Sequence, residues 1–474
     1  MALELGPMPK KNLIWIAVIV GAGVATVLMT RTAPQPDDPD VTQFGPVMRA
    51  RHVLRQYSYQ TPTEARLQQG AVRGMVETLD EYSSYIPPER VKSFLARLNG
   101  EMVCTGLVLA GEGDVPAEVV GSLPGSPAHE AGIGPGGRVV AIDGNEVTGA
   151  APGEIRRLLE APGRKTVEVT IADNNGQAHS YKLPRRPLAV ESVAGLRRSA
   201  NGQWEYFLDA GRDLACLRVR EFLPATAGRI QQALRELPGL AGLVLDLRDN
   251  PGGQLEPAFA VANLFLRSGA IFTQVGAHGE RQVHNARADG TWPDVPIVVL
   301  VNDRTASAAE IVAGALRLHR RAVLVGERTR GKGLVQSMLD LPDNMGLANV
   351  TTGEFFIGKD SPVQRRRGAA AWGIEPHVLL APSAADERAR RRYWLGVDVV
   401  GASAARTGDD ALTAPPALAT RPARPVCPAM SADAQFAAAV ALLESPERMR
   451  EILSRPASMP ATSPADARED KRDE

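Results

Sequence analysis

The chain has 474 residues and equal numbers of basic and acidic side chains, 54 of each, so its formal net charge is zero. This length suffices for two or three domains with separate hydrophobic cores. Hydrophobic residues at 44% and charged residues at 23% are globular values, which exclude collagen-like and wholly disordered classes. A neutral chain offers no broad cationic surface, so nucleic acid is not expected as a partner. The three cysteines share no metal-ligand spacing, and no metal site is predicted.

The N-terminal region contains an apolar run, Leu13 to Met29, that carries no charge and follows two lysines. Its 17 residues are close to the lower limit for crossing a bilayer. The lysine flank predicts residues 1–12 in the cytoplasm, a transmembrane anchor at residues 13–30 and the rest of the chain outside the cytoplasm. A cleaved signal peptide is the alternative. Residues 31–45, rich in proline and aspartate, are interpreted as a linker.

Two different patterns follow the linker. Residues 46–100 are predicted to be largely helical, because apolar residues recur there at helical spacing. Residues 101–186 contain short strands separated by glycine, proline and Asp-Gly turns, with one helix among them, and this order resembles a PDZ domain. The resemblance implies that an extended C-terminus binds as an added strand, with its carboxylate held by Thr105, Gly106 and Leu107. A small β domain that only packs on the core is the alternative.

Apolar strands alternate with helices in residues 187–384, which predicts a mostly parallel sheet buried on both faces. In such a sheet, ligands meet the loops at the carboxyl ends of the strands. Beyond this segment the pattern weakens. Residues 385–474 are interpreted as a C-terminal extension, partly disordered, with a helix near residues 432–453.

Three loops after apolar strands carry residues suited to catalysis. Gly252 and Gly253 allow bare backbone N–H groups to face a ligand. Ser307 begins a helix, where unpaired N–H donors can stabilise an oxyanion, although a simple N-cap would also explain a serine there. Lys332 lies between two glycines. Burial would lower the pKa of its amine toward neutrality, so that it could accept a proton from serine.

Two other catalytic interpretations are weaker. The sequence GERTRGKG around Lys332 comes within one position of a phosphate-binding loop. Gly333, however, stands where that loop needs a Ser or Thr to coordinate magnesium, so nucleotide hydrolysis is disfavoured. A serine–histidine–acid triad would use His319. That histidine ends the helix that Ser307 begins, about 18 Å away at roughly 1.5 Å per residue.

The most specific motifs are GLVLDLRDNPGG at residues 242–253, PIVVLVNDRTASAAEIVAG at 296–314 and RAVLVGERTRGKGLVQ at 321–336. Together they closely resemble the core signatures of the C-terminal processing peptidases, or tail-specific proteases. A weaker likeness extends over about residues 45–382 and includes the segment LDEYSSY at residues 79–85.

This resemblance implies a role for each of five residues. Ser307 would be the nucleophile and Lys332 its general base. Gln336 would orient the lysine amine, and the backbone N–H groups of Ala308 and Gly252 would form the oxyanion hole. No cofactor and no metal ion is implied.

The sequence therefore predicts an α/β (α+β multidomain) protein with a crotonase/Clp-like peptidase core, a mostly parallel sheet, an inserted PDZ-like β domain and an N-terminal transmembrane helix. Its predicted function is that of a membrane-anchored serine endopeptidase with a Ser-Lys acyl-enzyme mechanism, acting on proteins or peptides with accessible C-termini. It is expected in the inner membrane, single-pass, with its body on the periplasmic or extracytoplasmic side. A homo-oligomer, an adaptor protein and gating by the PDZ-like domain stay open. An inactive peptide-binding scaffold and a crotonase-like acyl-CoA enzyme are the alternatives.

Overall fold

The structure is a computed structural model that describes residues 43–111, 117–161, 163–199, 202–208, 213–288, 292, 295–399 and 433–455. The membrane anchor predicted at residues 13–30 lies outside these described residues. Within the described ranges, no helix is both long enough and apolar enough to cross a bilayer. The chain divides into two units, Met1–Met75 and Val76–Glu474.

The first unit contains helix α1 (Gly45–Tyr57) and most of helix α2 (Glu64–Glu77). A two-pronged ion pair joins these helices, because Arg51 Nε and Nη2 donate to the two carboxylate oxygens of Glu64 at 2.6 and 2.8 Å. Parallel, two-bonded geometry of this kind is the strongest arrangement of an arginine and a carboxylate.

The second unit begins with strand β1 (Ser84–Ile86) and helix α3 (Pro88–Leu98) and continues into a small β domain. The elements of this domain, in chain order, are β2 (Glu101–Cys104), β3 (Leu107–Ala110), β4 (Glu118–Ser122), α4 (Pro127–Glu130), β5 (Arg138–Ile142), β6 (Asn145–Glu146), α5 (Pro152–Leu159), β7 (Thr166–Ala172), β8 (Ala178–Pro184) and β9 (Arg186–Ala189).

The main sheet of this domain has the strand order β3-β4-β5-β7-β8, with β6 paired to β5. Its core follows the alternation of apolar residues along the strands, and Val119, Val167 and Val169 are buried against Ile155 and Leu159 of α5. Strand β2 pairs antiparallel with β9, so the two ends of the domain lie side by side. Strand β3 is an edge of the main sheet.

The remaining elements up to residue 379 form the peptidase-like core. They are β10 (Val193–Ala194), β11 (Arg197–Arg198), β12 (Trp204–Glu205), β13 (Leu214–Val219), α6 (Thr226–Arg235), β14 (Gly242–Asp246), α7 (Leu255–Asn263), β15 (Ala270–Gly276), β16 (Arg281–Asn285), β17 (Ile297–Val301), α8 (Ala308–Leu318), β18 (Ala322–Gly326), β19 (Leu334–Asp340), a 3₁₀ turn (Pro342–Asn344), β20 (Leu347–Ile357), β21 (Ser361–Pro362) and β22 (Val378–Leu379).

The central sheet has the order β10-β13-β14-β17-β18-β22. In this sheet β13, β14, β17, β18 and β22 are parallel, and the edge strand β10 pairs antiparallel with β13. Every residue of β13, β14, β17 and β18 is buried. Continuous apolar strands suit a sheet covered on both faces, and the mostly parallel sheet predicted from the sequence is confirmed.

A second, antiparallel sheet lies beside the central one. Its order is β1-β20-β15-β16, and β19 and β21 also pair with β20. Strand β1 comes from the segment before the small β domain, and Ser84 is paired with Asn349 of β20. This pairing brings the residues just before β1 to the core from a distant part of the sequence.

The C-terminal extension is helical in its described parts. It contains α9 (Ala384–Asp398), α10 (Ala434–Leu443) and α11 (Pro446–Ser454). Trp394, Phe436 and Leu443 pack with Val244 and Val298 on one face of the central sheet. Helices α6, α7 and α8 cover the opposite face. The extension therefore supplies one of the two layers that a buried parallel sheet requires.

Candidate active site

Ser307 stands at the N-terminal end of α8, directly beside the glycine loop that follows β14. Its backbone has φ 55° and ψ −123°, a conformation that non-glycine residues rarely adopt. Gly252 has φ 109°, and a Cβ at this position would come within 2.8 Å of Ser307 Cβ. The close approach requires a glycine at position 252. A strained serine at a helix start beside such a loop is typical of a functional site.

Glu310 connects the segment that contains Ser307 with the one that contains Lys332. Its Oε2 accepts hydrogen bonds from the Ser307 N–H at 2.8 Å and the Lys332 N–H at 2.9 Å. Its Oε1 accepts from Thr329 Oγ1 at 2.5 Å and the Gly331 N–H at 2.8 Å. Burial raises the pKa of Glu310, and these four donors oppose that rise. A single oxygen atom of this buried carboxylate therefore accepts a hydrogen bond from the backbone N–H of each predicted catalytic residue.

Lys332 has surroundings that favour a neutral amine. Burial lowers the pKa of Lys332, while the carboxylates of Asp80 and Glu310 act in the opposite direction. The Lys332 Nζ lies 4.9 Å from the centroid of the Tyr82 ring. Asp80 is itself fixed, because its Oδ1 accepts from the N–H groups of Tyr82 and Ser83 at 2.7 and 2.8 Å. The net lowered pKa is the property that a lysine general base needs near neutral pH.

The two backbone N–H groups predicted to form the oxyanion hole differ in their hydrogen bonds. The N–H of Ala308 has no hydrogen-bond acceptor among the described residues. The N–H of Gly252, in contrast, donates to Asn250 Oδ1 at 2.8 Å. Gly253 forms a β-bridge with Phe222, and the hydrogen bonds of this bridge are made by the residues on either side of Gly253. The N–H of Gly253 itself makes no hydrogen bond within the described parts of the chain. Within the described residues, the N–H groups of Ala308 and Gly253 therefore have no acceptor, and the role predicted for Gly252 stays a prediction.

Gln336 makes no hydrogen bond with Lys332 within the described residues. It lies on β19 at an irregularity in the pairing with β20, and its Nε2 donates to Thr351 Oγ1 at 3.2 Å. Among the described residues, this is the hydrogen bond that its side chain makes. The predicted role of Gln336 in orienting the lysine amine stays a prediction.

The predicted peptide-binding residues lie at the edge of the small β domain. Thr105, Gly106 and Leu107 line a cavity of about 310 Å³ between β3 and α5. Thr105 is buried, and its carbonyl oxygen accepts from the Ala128 N–H at 2.9 Å. Gly106 has φ 79°, and a Cβ there would come within 2.1 Å of Ser126 Cβ. A free edge strand beside a cavity is the geometry in which a peptide adds as a further strand.

Three residues at the catalytic end were not assigned a role from the sequence. Glu310 has a local signal, since Ser307-Ala-Ala-Glu310 is the S-x-x-E pattern of a capping box. Asp80 and Tyr82 lie in the LDEYSSY segment and reach Lys332 only through the pairing of β1 with β20. No group of three or more His, Cys, Asp and Glu side chains within the described residues could hold a metal ion.

Comparisons with known proteins agree on one family. Residues 213–380 match the profile of peptidase family S41, and residues 118–173 match that of a PDZ domain. A carboxy-terminal-processing protease of Bartonella bacilliformis is 31% identical over 330 residues, which cover 67% of this chain and 70% of that protein. The carboxy-terminal processing protease CtpA of Bacillus subtilis is 31% identical over 362 residues, which cover 75% of this chain and 72% of that protein.

A solved structure of the photosystem II D1 C-terminal processing protease is 28% identical and has a TM-score of 0.42, covering 71% of this chain and 87% of that one. The two matched regions define the class: a serine-type peptidase with a PDZ domain. The identities and coverage of the two relatives above also show the family within this class. The chain belongs to peptidase family S41, among the C-terminal processing proteases.

Proposed function

We propose that the protein is a serine endopeptidase that binds substrate C-termini through its PDZ domain and cleaves them by a Ser-Lys acyl-enzyme mechanism. One observation carries this proposal: the amides of Ser307 and Lys332 both donate to Glu310 Oε2, which holds the two segments side by side. The lowered pKa of Lys332, caused chiefly by burial, supports its role as the base. Protein or peptide substrates follow from the family and from the PDZ domain.

In the proposed reaction, the neutral Lys332 amine takes the proton of the Ser307 hydroxyl as its oxygen attacks the scissile carbonyl carbon. The carbonyl oxygen becomes an oxyanion, and the N–H groups of Ala308 and Gly253 donate to it. Lys332 then gives the proton to the leaving amine, and the C–N bond breaks to leave an ester on Ser307. A water molecule, deprotonated by Lys332, hydrolyses that ester and releases a new C-terminal carboxylate.

The test is cleavage of an unfolded protein with an apolar C-terminus by wild type, Ser307→Ala and Lys332→Ala. We expect both variants to lose at least about 10³-fold in kcat, since nucleophile and base act as one unit. Binding of a C-terminal peptide should persist in both variants. Cleavage by Ser307→Ala at the wild-type rate would contradict the mechanism. Peptide binding without cleavage by any form, wild type included, would indicate the inactive scaffold.

We further propose a single-pass anchor in the inner membrane at residues 13–30, with the peptidase on the extracytoplasmic side. This proposal rests on the charge-free run from Leu13 to Met29 and the lysines before it, which lie outside the described residues. Membrane fractionation after high-salt washing tests it. Recovery of the full-length chain in the soluble fraction would contradict the anchor.

A further inference from the structure

Five arginines lie around the loop that contains Lys332. This lysine loop, residues 327–333, joins β18 to β19 and carries two of them, and the other three follow one another in the segment after β21. Four of the five are exposed and one is half-buried. The chain as a whole is neutral, so this concentration of positive charge is a local feature. The members of the arginine cluster are Arg328, Arg330, Arg365, Arg366 and Arg367.

Hydrogen bonds hold the segment after β21 against the lysine loop. The N–H of Arg365 donates to the carbonyl oxygen of Gly331 at 2.8 Å, and the N–H of Gly333 donates to Gln364 Oε1 at 2.9 Å. The two segments are in close contact, since a Cβ at Gly331 would come within 3.0 Å of Arg365 Cβ. The Arg365 side chain therefore leaves the backbone beside the residue that precedes Lys332.

Trp372 orders two members of the arginine cluster. The guanidinium carbons of Arg328 and Arg365 each lie 4.7 Å from the centroid of its ring, within the range of a cation–π interaction. The same ring packs against the lysine loop, because a Cβ at Gly331 would come within 2.7 Å of Trp372 Cδ1. Two like charges at one ring repel each other, and a nearby anion offsets that repulsion.

Carboxylates of the chain pair with only some of these arginines. Arg328 pairs with Glu375 at 2.8 Å, and Arg366 pairs with Glu354 at 2.7 Å. Within the described residues, the other three members of the arginine cluster form no ion pair, and all three are exposed. Their guanidinium groups are therefore free to take a carboxylate from another molecule.

Arg330 lies close enough to the candidate base to act on it. Burial lowers the pKa of Lys332, and the positive charge of Arg330 adds to this lowering, whereas Asp80 and Glu310 oppose it. Both of these carboxylates are already engaged by backbone N–H groups. The exposed carboxylate of Glu81 is hydrogen-bonded to the tyrosine that follows it. An anion that approaches Arg330 therefore comes from outside the chain and lies near the reacting atoms.

We propose that the arginine cluster selects substrates with an acidic side chain within two residues of the scissile bond, and that Arg330 and Arg365 bind its carboxylate. The inference rests on the proposed function and names a substrate class for it. In that reaction Lys332 exchanges protons with the groups at the scissile bond, so its neighbours are also neighbours of that bond. A guanidinium group presents N–H donors in the fork that fits a carboxylate.

The experiment uses the full-length protein and pairs of internally quenched reporter peptides that share one free, apolar C-terminus. In each pair, one peptide carries Glu and the other Gln at one of the two positions before or the two positions after the cleaved bond. The readout is the ratio of kcat/KM for the Glu peptide to that for the Gln peptide. General losses of activity or folding cancel in this ratio, because both peptides meet the same enzyme.

For wild type at low ionic strength, we expect a ratio of about three to ten at one or more of these positions. An exposed ion pair changes a binding constant by up to about fivefold, and two arginines contribute here. Salt at about 0.5 M should bring the ratio close to one, because it screens exposed charges. Arg330→Gln and Arg365→Gln should each lower the ratio, and the double variant should abolish the preference. Arg330→Glu should bring the ratio below one.

Arg235→Gln is the matched control. Arg235 is an exposed arginine at the end of α6, beside Leu243 and Ile297 near the N-terminal ends of β14 and β17. This is the opposite end of the central sheet from the catalytic loops, which follow the carboxyl ends of the strands. The control removes the same charge from the chain and should keep the ratio of wild type.

Three results would overturn the inference. If Arg330 served only to lower the pKa of Lys332, Arg330→Gln would move the rising limb of kcat/KM to higher pH for both peptides and leave their ratio unchanged. A ratio close to one at every position, in a wild type whose cleavage depends on Ser307, would overturn the inference alone. Absence of Ser307-dependent cleavage of every reporter would overturn the proposed function and this inference with it.

Discussion

Glu310 accepts four hydrogen bonds, which fill the acceptor positions of both carboxylate oxygens. Two of the four donors are the amides of Ser307 and Lys332, 25 positions apart in the sequence. A carboxylate buried in this way is costly unless it is fully hydrogen-bonded, and here it is. At the residue scale, this buried acid fixes the backbone positions of both candidate catalytic residues.

Replacing Asp80 by Asn should shift the pH dependence of cleavage to lower pH. The Asp80 carboxylate raises the pKa of Lys332, opposing the larger effect of burial. Removal of that negative charge lowers the lysine pKa further, so the neutral amine appears at lower pH. The rising limb of kcat/KM against pH reports this value for the free enzyme.

The asparagine can still accept at Oδ1 the hydrogen bonds that Asp80 accepts from Tyr82 and Ser83. Its effect should therefore be electrostatic. Glu327→Gln is the control, since Glu327 is a half-buried carboxylate at the start of the loop that contains Lys332 and is not among the groups that shift the pKa of Lys332. A limb that stays in place or moves to higher pH in Asp80→Asn would argue against Lys332 as the base.

At the scale of elements, the site is assembled where loops leave parallel strands. The glycine loop follows β14, the loop to Ser307 follows β17 and the loop to Lys332 follows β18, and these three strands are neighbours in the central sheet. Parallel strands present their carboxyl ends at one edge, so three loops distant in sequence meet there. Strand β1 pairs antiparallel with β20, and this pairing brings Asp80 and Tyr82, which precede β1, to the candidate site.

Gly252→Ala should lower kcat/KM strongly while lowering the stability of the fold much less. The new Cβ would come within 2.8 Å of Ser307 Cβ and 3.1 Å of the Ala308 nitrogen, so the candidate nucleophile must move. A displacement of about 1 Å at reacting atoms costs roughly 10²-fold in rate. We expect kcat/KM to fall by about that factor.

Gly239→Ala separates the two effects of this substitution. Gly239 also has a positive φ, 76°, but a Cβ there would have no heavy atom within 4 Å. Both variants carry the backbone strain, whereas only Gly252→Ala crowds the serine. Comparable losses of kcat/KM in the two variants would show that strain, and not contact with Ser307, is responsible.

At the scale of the whole molecule, the C-terminal extension completes the core. Arg248, which is fully buried, binds Asp246 of β14 through two nitrogens and also donates to Asp433 and Gln435 next to and within α10. Phe436 is fully buried in the same layer. The extension therefore holds the strand that leads into the glycine loop.

Phe436→Ala should destabilise the entire peptidase core. Removal of a fully buried phenylalanine side chain costs about 3–5 kcal/mol through lost transfer energy and the cavity that remains. We expect a clear fall in the denaturant midpoint of unfolding. Arg448→Ala, an exposed substitution on α11, should change stability by no more than about 0.5 kcal/mol. Equal midpoints for both variants would show that the extension is not part of the core.

Much of the fold follows from local patterns. Apolar strands alternating with helices predict the parallel sheet, and short strands with glycine turns predict the PDZ domain, because both patterns depend on periods of a few residues. Helix α9 was not predicted. Charged residues fill most of its first nine positions, and the apolar residues that pack on the core, Tyr393, Trp394 and Val397, are confined to its C-terminal end, so it has no apolar stripe along its length.

The sequence alone determined the positions of the loops that follow the strands, the family, and the choice of Ser307 and Lys332 as candidate catalytic residues. Each of these depends on a contiguous motif. Only the tertiary structure decided which groups surround them. Glu310 joins two loops, Asp80 arrives through strand pairing, and Arg390 reaches Asp249 from a helix 141 positions later. Contacts between residues so far apart are set by how the layers pack, and no local pattern encodes them.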